Sequence, residues 1–137
     1  MLSRKTVALL NEACQKSDEL YDQGGLIYLY SFGHRRAHSF INPQLLKSAG
    51  YPKPLSDPEF DQLKTLFANA LCQYGSEPVS DQVAHYVQKF IDRLNVDFSG
   101  MYSCISESAD DGLSHMIELT FIENNDFHTL ELFWSVD

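Results

Sequence analysis

Residues Leu113–Glu123 read LSHMIELTFIE and residues His128–Val136 read HTLELFWSV, and in both the hydrophobic period is two. In the first stretch Ile117, Leu119 and Phe121 fall on one side and Glu118, Thr120 and Ile122 on the other. In the second, Leu130, Leu132, Trp134 and Val136 oppose Thr129, Glu131, Phe133 and Ser135. Side chains of a strand point alternately to its two faces, so each stretch reads as a strand with one face buried. Asn124-Asn125-Asp126 between them and Asp110-Asp111-Gly112 before them are turn chemistry, and Met101–Glu107 reads as a weaker strand. The expectation is a three-stranded antiparallel meander that buries Ile117, Leu119, Phe121, Leu130, Leu132 and Trp134.

Keeping both apolar sets on one face requires an even number of loop residues, because a one-residue slip inverts a strand. A two-residue loop at Asn124-Asn125 sets Glu118 opposite Glu131. A four-residue loop, Asn124 to Phe127, sets Glu118 opposite Phe133 and Thr120 opposite Glu131. Opposed like charges are destabilising, so stability taken alone favours the longer loop.

Upstream of this block the period is helical. Val7, Leu10, Cys14 and Tyr21 share a face of a helix from about Ser3 to Gln23, stopped by Gly24-Gly25. Leu26–Phe32 (LIYLYSF) is a dense apolar run that fits a short buried strand or a helical turn, and periodicity does not decide between them. Asn42-Pro43 opens a short helix ending at Gly50, and Tyr51–Pro58, with three prolines, is a loop. Ser56-Asp57-Pro58-Glu59 has capping-box spacing before a stripe of Phe60, Leu63, Phe67, Leu71 and Tyr74. Ser80 caps a further helix carrying Val83, Tyr86, Val87, Phe90 and Leu94. The fold expected is α+β: a single domain over residues 1–137, with about four helices in residues 1–96 followed by the meander in 97–137.

Charge divides at the same boundary. Residues 97–137 contain no Lys or Arg and nine acidic residues, while the ten acids and ten bases of residues 1–96 cancel, so the C-terminal layer carries the whole net charge of −9. A field of one sign draws oppositely charged partners and repels polyanions. Nucleic acid and anionic membrane are therefore poor ligands, and a basic protein surface is the partner expected. The partner-binding residues expected are Glu107, Asp110, Asp111, Glu118, Ile122, Glu123, Asp126, Glu131 and Phe133. Mixed carboxylate and apolar groups of this kind suit a protein interface.

Catalytic and metal signals are weak by comparison. His34 and His38 are four apart, half of a metal site, without the intervening Glu or a third ligand. No nucleophile elbow or phosphate loop occurs. Cys14, Cys72 and Cys104 lie in apolar patterns and read as buried structural thiols. Glu118 with Glu131 would make an acid–base pair only in a cleft that separates their pKa values. No catalytic residue, metal or cofactor is expected. Three scattered cysteines, and a start (Met1–Lys5, then only Val7–Leu10 apolar) that reads as helix instead of signal peptide, point to a reducing cytoplasm. No stretch has the apolar length of a membrane span.

Small, acidic, cysteine-poor and without a catalytic motif, the chain resembles in general character the immunity proteins of bacterial contact-dependent growth inhibition and related polymorphic toxin systems. The likeness extends over the whole chain and is carried by no motif, so no residue role transfers with it. It implies tight stoichiometric binding to a cognate toxin domain, often a nuclease whose active site is basic because it holds phosphates. The alternatives are a small metal- or carboxylate-dependent enzyme using His34 and His38 or Glu118 and Glu131, and a regulatory adaptor or nucleic-acid mimic.

Overall fold

In the computed structural model the described residues are 1–33, 57–72, 81–110, 112–123 and 126–136. The short helix expected at 42–50 and the first six residues of the loop expected at 51–58 lie outside them, as do His34, His38 and Tyr74, while Asp57 and Pro58 are not loop but the opening of a helix.

Helix α1 spans Arg4–Leu20. Ser3 caps it from an extended backbone, its hydroxyl accepting the Thr6 amide at 3.3 Å. The buried face is Thr6, Leu10, Ala13 and Ser17, not the stripe through Val7 and Cys14, which are half-exposed. The reason is proximity: α1 packs on an N-terminal strand, and small side chains let the two backbones approach. A Cβ added at Gly25 would stand 3.3 Å from Ser17 Oγ.

Helix α2 spans Asp57–Leu71 and α3 spans Asp81–Asp97. Of the expected stripes, Leu63, Phe67 and Leu71 of α2 and Val83, Val87, Phe90 and Leu94 of α3 are buried, and Leu66 joins them. Phe67 stands edge-on to Phe90 and Tyr86, with ring centroids 5.5 and 5.0 Å apart. Tyr86 also donates its hydroxyl to the Leu9 carbonyl at 2.7 Å, tying α3 to α1.

The sheet has four antiparallel strands in the order β1-β4-β3-β2, with β1 Gly25–Gly33, β2 Tyr102–Asp110, β3 Ser114–Glu123 and β4 Asp126–Ser135. The meander is present, and the helices cover one face of it. Ile117, Leu119, Leu130, Leu132 and Trp134 are fully buried and Phe121 is 3% exposed, while Phe133 on the opposite face is 36% exposed. Trp134 packs edge-on against Tyr21 at 5.9 Å, and Phe98 stacks on Phe121 at 4.1 Å.

Two expectations are corrected. The sheet has four strands among the described residues where three were expected, because Leu26–Phe32, open between strand and helical turn in the sequence, is a strand that adds to the outer side of β4. Its alternation is hidden: Leu26, Tyr28 and Tyr30 point to the helices, yet Ile27 and Leu29 on the other face are apolar too. Three of the about four expected helices are present, and the fourth, at 42–50, lies outside the described residues. The second correction is register. Glu123 pairs with Asp126 and Glu118 stands opposite Glu131, the arrangement of the two-residue connection. The shorter connection extends the ladder to Ile122–Phe127 and Glu123–Asp126. Each added backbone hydrogen bond contributes roughly 1 kcal/mol, which outweighs an opposed like-charge pair of about 0.5 kcal/mol.

Candidate partner-binding surface

No Lys or Arg lies on any of the four strands. The basic residues among those described are Arg4, Lys5 and Lys16 on α1, Lys64 on α2, and Lys89 and Arg93 on α3. β1 thus joins the acidic C-terminal strands in one sheet without a cation, although it comes from the charge-neutral part of the chain.

On the face turned away from the helices the strand registers set residues in rows. Ile27, Phe133 and Met116 form one, and Leu29, Glu131, Glu118 and Ser106 form the next. Ile27 and Leu29 are 64% and 62% exposed, and Glu118 and Glu131 are half-exposed. Large exposed apolar groups side by side are uncommon on a monomer surface and mark interaction sites. Farther along the same face Thr120, Ile122 and Thr129 are buried. Ile122, expected among the contacts, is buried here, and the accessible part of this face is the end bearing Ile27 and Phe133.

Among the other expected residues, those described lie apart from this patch or at strand ends. Glu107 pairs with Ile117 in register and so points to the helical side, where its carboxylate accepts the Nε2–H of buried His115 at 2.7 Å. The two line a cleft of about 400 Å³ between α2 and the β2–β3 hairpin, with Asp61, Gln62, Thr65 and Asn69 on its opposite wall. The Gln62 Oε1 atom is buried there without a hydrogen bond among the described residues. Asp110 and Asp126 sit at strand ends, while Asp111 and the Glu123 side chain lie outside the described residues.

Asp97, counted with the acidic tail, is internal. Its side chain is 2% exposed beside Arg93 and accepts hydrogen bonds from the Ser3 amide and the Thr6 hydroxyl. Sequence reasoning also missed Ile27, Leu29 and His115. The first two were signalled only by the absence of charge in LIYLYSF. His115 was legible as the inward position two residues before Ile117.

Cys14, Tyr30 and Tyr86 are shifted toward their protonated forms. Burial, helped by Asp18, pushes the Cys14 thiol up to about 11, and burial raises Tyr86 strongly, with Cys14 and Glu12 adding to it. Tyr30 is raised by burial, less so by Asp97, and its hydroxyl lies 2.6 Å from His128 Nδ1. Cys14 and Cys72 are half-buried, not enclosed, and a thiol that stays protonated is a poor nucleophile. Among the described residues no group of three His, Cys, Asp or Glu side chains is placed to hold a metal ion, and no helix is long and apolar enough to cross a membrane. Comparison with protein-family models, with curated proteins and with solved structures finds no match to this chain.

Proposed function

We propose that this chain is an immunity-type binding protein that neutralises a basic protein partner, a nuclease toxin domain being the partner whose chemistry fits best. One observation carries the reading: a sheet without Lys or Arg sets exposed Ile27, Leu29 and Phe133 directly beside Glu131 and Glu118. The carboxylates supply long-range attraction and orientation. The apolar groups supply the desolvated contacts that hold a complex once formed. Cytoplasmic action fits the protonated, unpaired Cys14.

The test is co-expression with the product of the neighbouring reading frame. A neighbour bearing a basic, growth-arresting domain, rescue of growth by this chain and a stoichiometric complex on size-exclusion chromatography are the expected results. A neighbour without such a domain, or one that arrests growth regardless of this chain, overturns the reading.

A second reading, a small enzyme, is favoured by one feature. A carboxylate that fixes the tautomer of a buried imidazole at the edge of a cleft is the arrangement of a general base, and Glu107–His115 has it. Turnover abolished in His115→Gln, with partner binding unchanged, would select that reading.

A further inference from the structure

Among the described residues β1 and β2 are the two edges of the sheet, and they are built differently. β2 exposes Ser106, Glu107, Ser108, Ala109 and Asp110, and charged and small polar side chains are the usual protection of an edge strand. β1 reads GLIYLYSFG, with no charge and no proline, and pairs with β4 along its whole length without a bulge. Ile27, Leu29 and Phe32 on it are 64%, 62% and 48% exposed. A long, flat, apolar edge strand is a template for adding another strand.

We propose that β1 is the contact for a second copy of this chain, the two sheets joining edge to edge about a two-fold axis at Leu29. Leu29 is the midpoint of Gly25–Gly33, so antiparallel copies pair over the full strand. Leu29 then faces its own equivalent, Ile27 faces Ser31, Tyr28 faces Tyr30 and Leu26 faces Phe32. Opposed residues of an antiparallel pair share a face, so both helical layers lie on the same side of one continuous sheet. Tyr28 and Tyr30 form aromatic cross-strand pairs on that side, and the half-exposed Phe32 ring gains the partner's Leu26 position as its neighbour. On the other side the two Ile27–Leu29 patches merge.

Charge selects the occupant. A cationic strand finds no carboxylate on β1 itself, whereas a second copy finds a neutral and self-complementary one. The acid nearest this edge on the outer face is Glu131, one strand inward and paired with Leu29. Its equivalent in the second copy lies three strand spacings away, roughly 14 Å, beyond the Debye length of about 8 Å at physiological salt. Repulsion between two chains of net charge −9 is therefore well screened along this edge. Each copy uses its one β1 edge, so the contact is isologous and closes at two. The inference is independent of the function proposed above and concerns a contact that needs no other partner.

Sedimentation velocity on the whole chain at low and high salt tests it. A dimer that tightens with salt, as screening relieves like-charge repulsion, is the expected result. Leu29→Lys should weaken it several-fold by setting two like charges directly opposite each other on the axis, whereas Ser106→Lys on β2 should leave it intact. Leu29→Cys should form an intermolecular disulfide under mild oxidation that Ser106→Cys does not. That result decides the matter even if Leu29→Lys fails to fold. A chain that stays monomeric at high salt and high concentration, a folded Leu29→Lys that dimerises as tightly as the parent chain, or a Leu29→Cys that does not cross-link overturns the proposal.

Discussion

The carboxylate of Asp97, the last residue of α3, accepts the Thr6 hydroxyl at 2.6 Å and the Ser3 amide at 3.0 Å, at the start of α1. Arg93 Nη2 lies 3.3 Å from its other oxygen and 3.1 Å from Ser3 Oγ. A carboxylate is unfavourable at the C-terminus of its own helix and favourable at the N-terminus of another. Asp97 therefore stabilises α1 at the expense of α3, and Arg93 offsets the local cost. The result is a polar tie that sets the angle between two of the helices on the sheet.

Asp97→Ala leaves the buried Thr6 hydroxyl and the Ser3 amide without this acceptor. Denaturant unfolding should show a loss of about 2–3 kcal/mol. Asp97→Asn, which keeps an acceptor oxygen, should lose less. Equal losses for the two would place the effect in charge alone.

Gly25 and Gly100 both have positive φ, +108° and +79°, but only Gly25 is crowded. A Cβ there meets Ser17 Oγ at 3.3 Å and Asp18 Oδ1 at 3.4 Å, while nothing lies within 4 Å of one at Gly100. Gly100→Ala should cost about 1 kcal/mol from backbone strain, and Gly25→Ala about 2–3 kcal/mol. Thermal melts of the pair would check the difference.

Glu131→Gln removes one of two directly opposed carboxylates. Stability should rise by about 0.5 kcal/mol, while association with a basic partner slows. A variant that loses stability would show that the carboxylate is held by interactions stronger than the repulsion.

Stability should fall on the alkaline side, beginning with Cys14. Its thiol stands near 11 in the folded chain against 9.0 ordinarily, so between those values the unfolded chain has released a proton that the folded chain retains. Stability is then full below pH 9 and declines as pH rises through that window; Tyr86, also raised, extends the loss above the ordinary tyrosine value. Cys14→Ala should flatten the first part of the decline in melts taken across pH. At pH 8 alkylation of Cys14 should run about tenfold slower than that of a small thiol, the lower thiolate fraction being partly offset by the greater nucleophilicity of a more basic thiolate.

Binding kinetics should separate the two components of the outer sheet face. Reversing Glu118 and Glu131 to Lys should slow association with a basic partner and flatten its salt dependence. Phe133→Ala and Leu29→Ala should act on dissociation, since neither alters the long-range field. Reversing Asp18, Glu19 and Asp22 on the helical side should matter much less. Equal effects there would reduce the tail's charge to a solubilising role and move the site to the helices.

The meander's buried face and the stripes of α2 and α3 were legible because burial of a single face imposes its period on the residues. On α1 Leu10 and Tyr21 are buried as read, but Val7 and Cys14 give way to Thr6, Ala13 and Ser17, whose small size serves close approach and carries no hydrophobic signal. β1 escaped for the opposite reason, being apolar on both faces. Among the expected contacts, Glu131, Glu118 and Phe133 do share a surface. Ile122 alternates with them in sequence yet is buried, and Glu107 points to the other side of the sheet beside His115.

The core of the meander and the confinement of the cations to the part before Asp97 are legible in order and composition along the chain. That an uncharged N-terminal strand completes the acidic sheet, that Glu118 faces Glu131, and that Asp97 is an internal tie emerge only on folding. Each of these depends on pairing between segments distant in the chain. There, long-range backbone hydrogen bonding and packing outweigh the local preferences that a sequence displays.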